Sequence, residues 1–216
     1  MTEPRKPRLV SLFSGCGGMD LGFVRAGYDI LWANDIDADA CETYRANIGE
    51  IIEGDVTSLP VPELEDIDVL TSGFPCQPFS NAGSRKGVTD PRGRLYENTM
   101  EFVEKLRPRA VVFENVRGLL STKVDGEKLI DVLEAKLRTL GYQVGHRLLN
   151  FSHFGVPQKR IRVVVIGVRE TNQFEHAFPE ITAGKDLTIG ATLAGLTDEH
   201  PNQTELMKLN PQALYY

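Results

Sequence analysis

What most constrains this chain is an alternation. From Arg8 onward, short apolar runs rich in β-branched residues take turns with longer stretches of helical periodicity. That order builds a mostly parallel sheet with helices on its faces. The spacing predicts strands at Arg8–Phe13, Asp29–Ala33, Ile51–Glu53, Asp68–Thr71 and Ala110–Phe113. Helices are expected at Met19–Ala26, Asp37–Asn47, Leu95–Leu106 (stopped by Pro108) and Gly126–Leu140 (stopped by Gly141). Tyr142–Asn150 and Arg162–Val168 are expected to form an antiparallel pair at the sheet edge. After Arg169 the pattern dissolves into short apolar stretches broken by Pro, Gly, Asn and Thr. The expected organisation is therefore one α/β domain over residues 1–169 and a separate tail over 170–216.

Composition sets the class. With 41% hydrophobic and 25% charged residues among 216, the chain has the makings of a packed core. The longest apolar run, Val163–Val168, is far short of the roughly 18 residues that span a bilayer. Met1–Arg8 is polar and carries no signal-type stretch. Both point to a cytoplasmic protein with no membrane partner. The cysteines Cys16, Cys41 and Cys76 are odd in number and lack metal-ligand spacing, as expected of free thiols in a reducing compartment with no metal site. A net charge of −6 argues against a nucleic-acid partner. The local distribution differs, because Arg85, Lys86, Arg92 and Arg94 share one loop and Lys159, Arg160 and Arg162 lie together. Taken alone, these read as two solvated loops.

The residues with chemical potential fall at strand ends. Ser14-Gly15-Cys16-Gly17-Gly18 follows the first strand, where glycines permit a tight turn and close approach to a ligand. No Gly-Lys-Ser/Thr follows, which disfavours a phosphate cradle. Asn34-Asp35-Ile36-Asp37 ends the second strand, where an acid is placed to accept from a ribose. For Asp37 a helix N-cap is an equally good reading; for Asp35 it is a poorer one. Gly54-Asp55-Val56 ends the third. These ends line one crevice at the carboxyl edge of the sheet, where open α/β sheets bind ligands. Gly73-Phe74-Pro75-Cys76-Gln77-Pro78 sets a cysteine on a proline-bracketed turn beside that crevice. A structural cysteine more often sits inside an element. Glu114 ends the next strand, near Cys76 across adjacent strand ends, either as a turn cap or as a candidate acid.

Taken in order, these segments resemble the motifs of the C5-cytosine DNA methyltransferase family. The resemblance runs through FSGCGGMDLGF, NDID, GDV, GFPCQPFS, GRLYENTMEFVEKLRP, ENVRGLL and FGVPQKRIRVVVIG, over residues 8–168. It implies a Rossmann-like, S-adenosylmethionine-dependent methyltransferase sheet and a methyl transfer to C5 of a flipped-out cytosine in double-stranded DNA. The resemblance makes Cys76 the nucleophile at C6, Glu114 the partner of N3 and N4, Arg162 a contact to O2, and Arg160 a support for the loop or phosphates. Phe13 and the Gly15, Cys16, Gly17, Gly18 turn would surround the cofactor. Asp35 would bind its ribose and Ile36 its adenine, where many members carry an aromatic residue. Asp55, followed by Val56, would accept from the adenine amino group, and Pro75 and Leu95 would line the pocket. Gln77–Arg92 reads as a lid.

The tail, with TIGATLAGL and HPNQT, resembles the start of the family's target-recognition region. The remainder of that region is expected elsewhere, on a complementing C-terminal polypeptide if the enzyme is split. The resemblance fits a restriction-modification or orphan modification enzyme. The alternatives are a tRNA cytosine-C5 methyltransferase and a non-catalytic cofactor-binding subunit.

Overall fold

In the computed structural model, the described residues are 5–75, 95–170, 174, 177–180 and 189–194. Among them a seven-stranded sheet forms the backbone of the fold. Its strands are β1 (Arg8–Leu12), β2 (Asp29–Asp35), β3 (Ile52–Glu53), β4 (Val69–Ser72), β5 (Ala110–Val116), β8 (Tyr142–Asn150) and β9 (Ile161–Arg169). They lie in the order β3-β2-β1-β4-β5-β9-β8. The strands β3, β2, β1, β4 and β5 run parallel, and β9 is antiparallel to β5 through seven register pairs from Ala110↔Val168 to Val116↔Arg162. This bears out the expected α/β class. The order reverses between β1 and β4, so a crevice opens at their carboxyl ends.

The helices follow from their apolar periodicity. In α3 (Leu95–Leu106) the buried residues Tyr96, Thr99, Met100, Val103 and Leu106 recur at helical spacing. In α4 (Leu129–Thr139) the buried stripe is Leu129, Ile130, Leu133 and Leu137. Both stripes join Val10, Leu12, Leu70, Val111, Phe113, Val163 and Val165 in the main core. Shorter helices, α1 (Gly18–Arg25) and α2 (Ala38–Asn47), follow β1 and β2. Cys41 and Tyr44 of α2 pack with Ala33 and Ile51 in a second, smaller cluster. Asp37 caps α2 by accepting from the Ala40 amide at 2.8 Å.

Two expectations are corrected. The segment from Gly126 does not begin a helix. Lys123–Val124 (β6) and Glu127–Lys128 (β7) form a small hairpin, and α4 starts only at Leu129. The turn residues Asp125 and Gly126 both have positive φ, 51° and 90°, as a two-residue Asp-Gly hairpin turn requires. β5 also runs on past Phe113 to Val116, because β9 supplies hydrogen-bonding partners along its whole length. The expected strand pair is present as neighbours β9 and β8, with β8 alone at the edge.

The chain divides into two compact units, Met1–Leu149 with Ile161–Glu180, and Asn150–Arg160 with Ile181–Tyr216. The second contains a 3-10 turn, Phe151–Phe154, and a short helix, α5 (Ile189–Leu193). No helix among the described residues is long and apolar enough to cross a membrane.

Candidate active site at the carboxyl edge of the sheet

Local chemistry shapes the turn after β1. Phe13 adopts the left-handed region at φ 55°, a conformation that costs a bulky residue roughly 1–3 kcal/mol. The next residues hold it there. The Ser14 amide donates to the Asn34 carbonyl at 3.0 Å, and the Gly15 amide donates to Asp35 Oδ2 at 2.7 Å. Gly17, at φ 84°, is required twice over: a Cβ there would come within 2.7 Å of Ile48 Cγ1 and 2.9 Å of Tyr44 Cδ2. The close approach at Gly17 is thus to α2. Gly18 opens α1, and Cys16 stands exposed at the crest of the turn.

Neighbouring strand ends contribute acids. Asp35 ends β2, its Oδ1 accepting from the Asp37 amide at 2.9 Å while Oδ2 reaches across to Gly15. Ile36 beside it is 67% exposed, the most open of the large apolar side chains described. Such exposure at a crevice suits an apolar ligand face. Asp55 Oδ1 accepts from the Thr57 amide and hydroxyl at 2.9 and 2.8 Å. Val56 is buried in the main core. The buried Asn34 side chain donates to the Ile52 and Gly54 carbonyls, both at 2.9 Å, and so ties β2 to the chain around Asp55.

Past β4, Phe74 is buried against Phe113, with ring centroids 6.0 Å apart, and Pro75 is exposed. Cys76 and the Gln77–Arg92 loop lie outside the described residues. Leu95, partly buried, lies in α3. Glu114 and Arg162 meet on β5 and β9: Arg162 Nε lies 3.0 Å from Glu114 Oε1, and the two side chains are 26% and 22% exposed for Glu114 and Arg162. Antiparallel pairing brings the start of β9 to the carboxyl end of β5, which is how residues so distant in sequence become neighbours. Arg160 belongs to the second unit, where its carbonyl accepts from the Phe151 amide at 2.8 Å.

Some residues of the site carry no sequence signal of their role. Asn115, 5% exposed, donates from Nδ2 to the Phe74 carbonyl at 2.8 Å and fixes the segment leading to Cys76. Asp20, in the first turn of α1, is 1% exposed. Burial pushes its carboxyl above the usual range, and the hydroxyls of Ser11, Tyr44 and Ser14 act the other way. Two cavities, of about 960 and 240 Å³, lie beside the amino ends of β1 and β2, away from this crevice. The first is lined by Arg8, Leu31 and Glu65, the second by Lys6, Asp29 and Ile30.

A glycine turn, strand-end acids and a sheet of this order define the Rossmann-like class of S-adenosylmethionine-dependent methyltransferases. Solved structures carry the same fold. A crystal structure of a putative DNA modification methyltransferase encoded within an E. coli prophage superposes with a TM-score of 0.74 at 28% identity, over 89% of this chain and 56% of that one. The S. pombe Dnmt2 methyltransferase shares the fold with a TM-score of 0.63 at 24% identity, over 90% and 57%. The family model of the C-5 cytosine-specific DNA methylases matches residues 8–212. The chain belongs to that family. It is 39% identical to the type II methyltransferase M.NgoFVII of Neisseria gonorrhoeae, over 97% of this chain and 58% of the relative. To M.BanI of Aneurinibacillus aneurinilyticus it is 36% identical, over 94% and 45%. The chain therefore spans about half the length of these relatives.

Proposed function

We propose that this chain is the catalytic, S-adenosylmethionine-binding part of a cytoplasmic type II DNA (cytosine-5)-methyltransferase that acts on double-stranded DNA. The observation that carries the reading is the Glu114–Arg162 pair at the same sheet edge as the Ser14–Gly18 turn and Asp35. Type II relatives favour DNA over tRNA as the substrate. The intact pair speaks against an idle cofactor-binding subunit.

The residues present fit the cofactor. Bound S-adenosylmethionine supplies an electrophilic sulfonium methyl group. Phe13 and the backbone of Gly15, Cys16, Gly17 and Gly18 would enclose its methionine and sugar. Asp35 would accept from the ribose hydroxyls, Ile36 would cover the adenine, and Asp55 would accept from the adenine amine. Val56, being buried, would hold the backbone of Asp55, while Pro75 and Leu95 would form the wall.

Cytosine C5 is a poor nucleophile, so the reaction needs a covalent partner. The Cys76 thiolate adds to C6 of a base extruded from the duplex. The displaced electron pair reaches N3, which takes up a proton through its hydrogen bond with Glu114. C5 gains enamine character and takes the methyl group. Loss of the C5 proton to a base, with expulsion of the Cys76 thiolate and release of the N3 proton back through Glu114, restores the C5–C6 double bond and the neutral ring. Arg162 contacts O2, and Arg160 supports the loop or phosphates. We assign the stretch after Arg169 to the start of the target-recognition region. The rest corresponds to the share of the relatives not spanned here, on the same polypeptide or a complementing one.

The test is Cys76→Ser with duplex DNA carrying 5-fluorocytosine, which blocks the final proton loss and traps the adduct. Methyl transfer should fall by several orders of magnitude while cofactor binding persists. A trapped adduct in the serine variant, or transfer to tRNA in preference to duplex DNA, would overturn the reading.

A further inference from the structure

Beneath the Ser14–Gly18 turn runs a buried chain of hydroxyls that ends on a carboxylate. Ser14 Oγ lies 2.8 Å from Ser11 Oγ, and Ser11 Oγ donates to Asp20 Oδ1 at 2.8 Å. Tyr44 of α2 donates its hydroxyl to Asp20 Oδ2, also at 2.8 Å. Ser11 and Tyr44 are fully buried and Asp20 nearly so. The hydroxyl order is consistent throughout: Ser14 donates to Ser11, Ser11 donates to Asp20, and Tyr44 donates to the other oxygen. The same tyrosine packs its ring where a Cβ on Gly17 would stand. The turn is therefore gripped at both ends, at Ser14 through Ser11 and at Gly17 through Tyr44, and Asp20 is the acceptor on which both grips converge. The grip has something to oppose. Phe13, next to Ser14, is held in the left-handed region, a conformation that the grip on Ser14 helps to maintain beside the backbone bonds of Ser14 and Gly15.

From this geometry we infer that Asp20 is a positioning residue, which keeps the Ser14–Gly18 turn built before any ligand arrives. It touches no reacting atom and works through Ser11, Ser14 and Tyr44. Its bearing on methyl-donor affinity rests on the function proposed above. Its hold on the turn does not.

The test is amide hydrogen exchange on the whole chain without cofactor, for the wild type, Asp20→Asn, Ser11→Ala and the double variant. Leu133→Ala, in the core of α4, serves as a control for loss of stability away from the turn. An amide side chain offers one acceptor oxygen where two hydroxyls now donate. Exchange at the Gly15 and Gly17 amides should rise about tenfold in Asp20→Asn relative to the control. Ser11→Ala should reproduce the rise at Gly15, and the double variant should add nothing further there, as for two residues on one path. Wild-type protection in Asp20→Asn, an equal loss in Leu133→Ala, or additive effects would each overturn the inference. Calorimetry with S-adenosylmethionine forms a separate arm, with affinity about tenfold weaker in Asp20→Asn expected. A wild-type chain that binds no S-adenosylmethionine sinks the methyl-donor reading, and the exchange arm still decides the role of Asp20.

Discussion

The Asn115 side chain donates to the Phe74 carbonyl while its own Oδ1 accepts from the Val116 amide. Removing it by Asn115→Ala leaves a buried carbonyl without its partner, a change that costs about 1–3 kcal/mol. The variant should melt at a lower temperature, and in the function proposed above methyl transfer should fall with it, because Phe74 leads through Pro75 to Cys76. An unchanged melting temperature would show that the bond contributes nothing. At this scale sequence reading finds the residues that carry reactive groups and misses those that hold backbone. Glu114 stands out as an acid at a strand end, whereas Asn115 and Asn34 act on carbonyls that only the folded chain brings within reach. Asp20 is hidden differently, since an acid in the first turn of a helix has an ordinary electrostatic reason to be there.

β4 carries an anomaly of the opposite kind. Among the described residues, Thr71 Oγ1 is a buried side-chain oxygen with no hydrogen-bond partner, although Ser11 stands in register with it on β1. An isosteric Thr71→Val exchange removes a desolvated hydroxyl and leaves the shape, so stability should hold or rise by about 1 kcal/mol. Denaturant titration measures this, and a clear loss would mean that the hydroxyl has a partner in solution. Elements were legible where a single period governs them: α3 ends at Leu106, two residues before Pro108, as its apolar spacing and that proline dictate. They were less legible where a partner decides. β5 extends three residues beyond its expected end because β9 lies alongside. The β6–β7 hairpin had a local signal in Asp125-Gly126, but the helical pattern of the following residues masked it.

For the molecule as a whole, charge organisation differs between the two edges of the sheet. At the amino edge Asp68 accepts from Arg5 Nη1 at 2.6 Å and from the Arg8 amide at 2.8 Å, with Arg109 at 3.6 Å. Burial would raise the Asp68 carboxyl, but the Arg5 hydrogen bond, the Arg8 amide and the charges of Arg5 and Arg109 outweigh it and hold the group below its ordinary range. A depressed carboxylate contributes stability that is complete above the unfolded value of about 3.9 and disappears as pH falls through the lower folded value. Asp68→Asn should therefore be less stable than wild type near neutrality, with the gap closing in acid. A gap that stays constant with pH would refute the assignment. The carboxyl edge is arranged by long-range pairing: Glu114 acquires its arginine only when β9 has been laid against β5. That dependence reaches into the birth of the protein. While the ribosome has yet to release Ile161–Arg169, β5 has an open flank, the kind of strand that adheres to other chains. Closing so distant a contact is also slow. The nascent chain is thus open to aggregation until β9 closes over β5 and brings Arg162 to Glu114, and a chaperone that covered β5 during that interval would protect solubility and the Glu114–Arg162 pair together.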